Sequence, residues 1–457
     1  MGGSTSLRGT SVIVAGAGLA GLTAAYELQR RGARVTMVEA RNRLGGRVWT
    51  RRDGFAEGQH AEAGGDMIDP DQETIRRLAK NLGVTLSPIL RGGFAFACQA
   101  GRTPGVTRVS EASGLWGELA QAAEPWVRAH RLNERRWDGP IAQQLAGQSV
   151  ADWLDSIGAR GQVRARLNGM RGFFLADPEH LSLLALVDQL ATESSVLDHF
   201  YRIRGGNDRL ATALADTLQE PVQFNTMVRA VAQHRGKVRV TLRRRGGQSH
   251  MAADALVLAL PATMARRLAF TPPLPAPQRN AFRDLLYGAA TKTLLQFDRR
   301  FWRRQGKSLA YGTDLSIGAI WDGNEEQQGR GGILTLLAGG STSRDTKQLL
   351  AQGGAEAVAQ RLKWLGATKA VLRASCHVAW EEDPFVRGGY AVFQAGYDPE
   401  QRAWLSRPHG RILFAGEQTS LRWQGYMNGA VESGLRVAEE VTILLATSRR
   451  RLPGGAR

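Results

Sequence analysis

With 457 residues and 43% hydrophobic content, the chain is too long for one ordinary core and has apolar side chains enough for two. No apolar run reaches the roughly 18 residues of a membrane span, so no membrane helix is expected; two cysteines, Cys98 and Cys376, make no disulfide framework and point to a reducing, cytoplasmic setting. The net charge of +18 comes mostly from arginines scattered along the chain with no nucleic-acid motif beside them, and is read as a solvated basic surface.

The N-terminus, MGGSTSLRGT, is a polar tail, although Gly2 and Ser6 match a loose myristoylation pattern. The informative text begins at Ser11. SVIVAGAGLAGLTAAYEL (11–28) predicts a short buried strand over Ser11 to Ala15, a turn, and a helix from Leu19 to Arg30. Each glycine of the turn has its own task. Gly16 allows the tight turn, Gly18 bares the backbone to a pyrophosphate, and Gly21 lets the helix pack closely on the strand. The helix N-terminus then faces the phosphate. A second strand, Ala33 to Val38, ends in Glu39, which can accept hydrogen bonds from both ribose hydroxyls and would repel a 2′-phosphate. These residues point to an adenine dinucleotide without saying which; a doubly wound sheet with no ligand is the alternative. The stretch that follows, ARNRLGGR, offers Arg41, Gly45, Gly46 and Arg47 as a second clamp for a diphosphate. A nicotinamide-dependent dehydrogenase would not ordinarily carry it.

Further on, Gln72 to Leu82 has helical spacing and closes at Gly83. From Ser110 to about Ser195 apolar residues recur at three and four, predicting a helical block. RIRGGNDRLATALADTL (202–218) is a glycine turn feeding a helix, and residues 222–242 alternate as two strands around Arg235-Gly236. ADALVLALP (253–261) is a buried strand stopped by Pro261, and TPPLPAPQ (271–278) is a connector. Strands are expected at 290–298, around 317–321 and around 333–338, then at 409–420, followed by a helix from Tyr426 to Leu445. Nucleotide-type elements thus stand at the start, middle and end of the chain, with helical and mixed segments between them, so one domain is discontinuous.

The motifs GAGLAG, EARNRLGGRV, AEAGGDMIDP, RGGNDRL, TKTLLQFDRRFW, WEEDPFVRGGY and ILFAGEQTS…GYMNGAVESGLRVAEE together resemble the flavin-containing amine oxidase family, which holds monoamine, polyamine and L-amino acid oxidases. The resemblance implies an α/β fold: a discontinuous Rossmann-like FAD-binding domain (7–80, 200–270 and 380–445) with an inserted mixed-sheet plus helical substrate domain (81–199 and 271–379), then a basic tail at 446–457. It implies FAD, with Gly16, Gly18 and Gly21 at the pyrophosphate, Arg41, Gly45, Gly46 and Arg47 closing over it, and Glu39 on the ribose. Val228 matches the adenine contact, Gly416 and Glu417 the ribityl side, Met427 the flavin N1/O2 edge, and Gly65 and Trp380 positions near the flavin.

The same resemblance places Tyr390 and Tyr426 as an aromatic cage in front of the flavin and Lys292 within one water of flavin N5. A lysine on an apolar strand is costly to bury without a reason. Where monoamine oxidases carry a flavin-linked cysteine, this chain has Gly389, so the expected FAD is non-covalent. Where amino acid oxidases carry a carboxylate-binding arginine, it has Met67, with Arg387 and Arg422 as the substitutes considered. Asp69 falls where polyamine oxidases place an acidic residue, although Asp69-Pro70-Asp71 is also good turn chemistry, and Trp423 is a pocket neighbour. The expectation is an FAD-dependent oxidase of a primary amine or polyamine, using O2, with no metal, no membrane and no specific nucleic acid, and with a homodimer as an allowed assembly. The alternatives are an L-amino acid oxidase and an FAD-bound basic scaffold that binds nucleic acid without catalysis.

Overall fold

Four short runs of small and β-branched residues form a parallel sheet buried on both faces, as such runs require. In a computed structural model describing residues 6–91, 93–100, 103–108, 113–159, 161–191, 199–304 and 307–450, its order is Arg34–Val38, Ser11–Ala15, Ala255–Leu258, Ile412–Phe414. The register pairs Val12 with Val35 on one side and with Ala255 on the other. The helices Leu19–Arg30 and Met427–Arg450 pack against each other and against this sheet, through Leu22, Ala24, Val431 and Val437, all fully buried. All four strands end at one cavity: Ala15, Val38, Ala259, Gly416 and the residues beside them line it. That is where ligands bind in open α/β sheets.

A hairpin, Met227–His234 with Lys237–Arg244, turns at the predicted Arg235-Gly236 and is flanked by Gly247–Ala253 and Ala269–Thr271. The second large sheet has seven strands in the order Leu372–Ala379, Ala290–Phe297, Gly332–Gly339, Ala319–Asp322, Ala310–Thr313, Phe94–Ala100, Thr103–Arg108. It is mixed: Ala310–Thr313 runs parallel to Phe94–Ala100, and the remaining neighbours are antiparallel. Every residue of Ala290–Phe297 is buried, which carries Lys292 into the interior. The helical block comprises Ser113–Leu132, Pro140–Ala146, Val150–Ser156, Gln162–Gly169, Arg171–Phe174 and Leu183–Leu190. No helix among the described residues is long and apolar enough to cross a membrane.

Three details differ from the sequence reading. The strand expected at 409–420 is only Ile412–Phe414, because Gly416 takes φ +135° and starts a tight turn at Glu417–Thr419. The last helix runs on to Arg450, past Leu445, so the segment read as a tail begins as helix; residues 451–457 lie outside the described residues. Strands Phe94–Ala100 and Thr103–Arg108 escaped individual notice. The first is almost uniformly apolar and lacks alternation; the second carries Pro104 and Gly105, tolerated because it is the sheet's edge.

Candidate active site

The cavity has a volume of about 430 Å³, within the range of roughly 300–1,000 Å³ of small-molecule sites. One end is the glycine turn. Gly16 has φ +103°, and a Cβ there would stand 2.5 Å from Ala259 O. A Cβ on Gly21 would stand 1.9 Å from Gly16 O. Both glycines are therefore demanded by the protein's own packing, and Gly21 sits behind the cavity wall rather than in it. Gly18 is different. Its φ of −77° suits any residue, and a Cβ on it would meet only Gly45 O, at 3.9 Å. Among the described residues nothing asks for glycine at this cavity-lining position, and its effect is to leave the backbone bare toward the cavity. Gly45 and Gly46, with φ +88° and +59°, bring the second glycine turn against Gly18. Arg43 clips that turn by donating to Leu44 O and Gly46 O while lying over the Trp49 ring. Two bare turns facing one cavity fit a dinucleotide diphosphate.

Glu39 is 7% exposed, and its carboxylate accepts from Ala17 N at 2.7 Å and from Arg41 N at 2.8 Å. It locks the glycine turn as well as presenting an acceptor to the cavity. The Arg41 guanidinium is held by Asp383 at 2.6 Å and lies over the Phe385 ring. Arg47 donates to Glu417 Oε1 at 2.8 Å and to Gly389 O at 3.0 Å. Glu417, also buried, accepts from Gly425 N at 2.8 Å through its other oxygen. The Arg47–Glu417 pair thus ties the second glycine turn to both tyrosine-bearing segments. Val228, Gly65, Trp380, Gly416 and Met427 all line the cavity. Trp380 is fixed by donating to Ala63 O at 2.9 Å. Met427 opens the last helix, and its Sδ would stand 3.1 Å from a Cβ on Gly65.

Tyr390 and Tyr426 line the other end. The Tyr390 hydroxyl donates to Phe173 O, and Gly425 lies against the Tyr390 ring, where a Cβ would come within 3.2 Å of Cδ2. Tyr426 packs edge-on against Trp423, with ring centroids 5.7 Å apart, and its hydroxyl accepts from Gln189 Nε2 at 3.3 Å. Burial pushes both phenols above their ordinary range, helped by Tyr426 for Tyr390 and by Asp69 for Tyr426, so both are neutral. Met67, Phe173, Trp321 and Leu337 complete an apolar wall at this end. Asp69 and Trp423 do not reach the cavity wall; both stand behind Tyr426. Neither Arg387 nor Arg422 lines the cavity. Burial first, and Asp71 second, raise the Asp69 carboxyl to about 7.

Lys292 is 3% exposed and lines the same cavity. Its ammonium donates to Gly64 O at 2.9 Å and to Asp66 Oδ2 at 3.0 Å, 5.1 Å from the centre of the Trp321 ring. Asp66 and Arg202 were not singled out in the sequence; the signal available was two carboxylates, Glu62 and Asp66, among the small and apolar residues of AEAGGDMI. Phe173, Trp321 and Leu337 were missed because in sequence they look like any core residue. At Gly389 a Cβ would stand 2.4 Å from Leu175 Cδ1 and 2.7 Å from Ala290 Cβ, so no side chain fits there.

A family model described as flavin containing amine oxidoreductase matches residues 19–442. An L-amino-acid oxidase of Siganus canaliculatus is 29% identical over 461 residues, covering 94% of this chain and 85% of the relative. Cyclohexylamine oxidase from Brevibacterium oxydans superposes with a TM-score of 0.81 at 24% identity, over 96% of this chain and 99% of that one. A putrescine oxidase bound to putrescine does so with a TM-score of 0.79 at 23% identity, over 95% and 99%. These two likenesses concern the fold.

Proposed function

We propose that this chain, which belongs to the flavin-containing amine oxidoreductase family, is an oxidase that turns a primary amine or polyamine, with O2 and water, into an aldehyde, hydrogen peroxide and ammonia or a shorter amine. Bound FAD would supply the redox chemistry, as acceptor of a hydride equivalent from the carbon next to nitrogen and source of the electron pair for O2. The chain's own residues bind, orient and exclude water. Gly18, Gly45, Gly46 and Arg47 hold the diphosphate, Glu39 the ribose, and Val228 the adenine side. Tyr390 and Tyr426 present apolar ring faces that align a neutral amine and keep water out. Lys292 holds a proton beside the reacting edge.

The observation that carries this reading is convergence. Lys292, Tyr390 and Tyr426 come from three separate segments and line the same cavity as the two glycine turns. Met67 in place of an arginine, within an apolar wall, favours an amine over an α-amino acid. A second ammonium on the substrate would feel the charge of Asp69 through Tyr426, without touching it. The closed space at Gly389 supports non-covalent FAD. Two unpaired cysteines fit a reducing, cytoplasmic setting. The test is anaerobic titration of the yellow protein with monoamines, diamines and amino acids. Amines should bleach the flavin and amino acids should not. Bleaching by amino acids alone would make it an L-amino acid oxidase; no bleaching, with salt-dependent nucleic-acid binding, would make it a scaffold.

A further inference from the structure

The wall behind Lys292 carries more buried charge than holding a cofactor and an amine requires. Asp66 Oδ2 accepts from Lys292 Nζ at 3.0 Å and from Trp321 Nε1 at 2.9 Å. Asp66 Oδ1 accepts from Arg202 Nε at 2.9 Å and Nη2 at 2.6 Å. The far end of Arg202 donates to Glu326 at 2.7 Å. Glu62 stands beside Asp66, accepting from Thr50 Oγ1 at 2.9 Å and from Asn207 N at 2.8 Å. The charged groups facing Lys292 are therefore Asp66, Glu62 and Arg202, with Glu326 beyond the guanidinium.

Opposed forces act on the ammonium. Burial strips its water and drives the proton off, Asp66 and then Glu62 pull the other way, and Arg202 repels it; the net is a pKa below lysine's ordinary value. Among the described residues Asp66 is the one carboxylate within hydrogen-bond reach of Nζ. Two of the three N–H donors are spent on Gly64 O and Asp66, which leaves one for the occupant of the cavity. Arg202 and Trp321 in turn fix both oxygens of Asp66, so the carboxylate has a single orientation.

We propose that Asp66 is a positioning residue that keeps Lys292 protonated and aimed along the cavity wall, so that the wall's charge beside the flavin stays constant through neutral pH. Resting on the reading that Lys292 faces bound FAD, this adds the group that sets its charge. Without Asp66, each unit by which the lysine pKa falls makes about ten times less of it charged above the new value.

The test is the midpoint potential of bound FAD, measured by spectroelectrochemistry between about pH 6 and 9, a window that spans the ordinary histidine value and stops short of lysine's. Four proteins are compared: the parent, Asp66→Asn, Lys292→Met, and the double variant. A loss of one positive charge near the ring shows as a proton-linked step. Asp66→Asn should show a step that the double variant lacks, and the parent should show no step that Lys292→Met removes. A step from Glu62, whose carboxyl burial and then Asp66 raise, would shift in both proteins that lack Asp66 and would not vanish from the double variant. If Asp66 only clamps Arg202, the potential of Asp66→Asn would be offset uniformly with no Lys292-dependent step, and the proposal falls. Should Asp66→Asn fail to retain FAD, the parent against Lys292→Met decides alone: a Lys292-dependent step in the parent overturns the proposal. A colourless parent would instead contradict the FAD reading itself.

Discussion

Replacing Gly18 and Gly21 separately by alanine should separate cofactor binding from folding. At Gly21 the new Cβ would lie 1.9 Å from Gly16 O, in backbone that cannot yield, so Gly21→Ala should fail to accumulate as folded protein. Gly18 already has extended φ and ψ of −77° and 175°, and its Cβ would meet only Gly45 O at 3.9 Å. Stiffening the unfolded chain there stabilises by about 0.4–1 kcal/mol, while alanine is a poorer helix N-cap than glycine by a similar amount. The apoprotein should therefore keep its melting temperature to within about 4 °C. The same methyl group would press on a bound diphosphate. Overpacking of that kind costs about 1–3 kcal/mol, or roughly five- to 150-fold in the Kd for FAD. Flavin fluorescence titration of the apoprotein, with a thermal melt beside it, reads both quantities. Unchanged FAD affinity in a folded Gly18→Ala protein would refute the assignment of this turn to the diphosphate.

Three further outcomes are expected. Gly389→Cys should lose about 1–3 kcal/mol of stability by overpacking against Leu175 and Ala290, and after acid precipitation its flavin should remain in the supernatant. Burial first, and Asp66 second, raise the Glu62 carboxyl from 4.5 to about 7 in the fold. Its stabilising contribution is thus full below about pH 4.5 and is lost as pH rises to about 7, so Glu62→Gln should gain on the parent across that window by up to about 3 kcal/mol in denaturant melts. Asp69 ionises above about 7, so kcat/KM for a diamine, divided by that for a monoamine of equal length, should rise with pH through that value. Asp69→Asn should lower the ratio at high pH by about fivefold, or about 1 kcal/mol, the worth of a charge acting across Tyr426 rather than of a direct hydrogen bond; an unchanged ratio would make Asp69 a turn residue only.

The glycine turn was legible because each position answers a different local constraint within a few residues of chain. Lys292 was legible through the family resemblance carried by TKTLLQFDRRFW, supported by the cost of burying an ammonium in a strand. Asp66 was not, since its partners Arg202 and Lys292 lie 136 and 226 residues away in sequence, and no periodicity encodes that pairing. Phe173, Trp321 and Leu337 gave no signal either, because an apolar pocket wall and an apolar core use the same residues. Arg41 was expected at the diphosphate, yet nothing local foretold that Asp383 holds it. Asp69 and Trp423 stand near the tyrosines in space, and only the packing of Tyr426 decides that they stay behind it.

The decisive measurement is a crystal structure of the FAD-loaded protein. The diphosphate should lie against Gly18 and Gly46, and the flavin ring should have Tyr390 and Tyr426 on its substrate side and the Lys292 ammonium toward N5. A flavin ring lodged away from those three side chains, or a diphosphate not touching the two glycine turns, would contradict this placement.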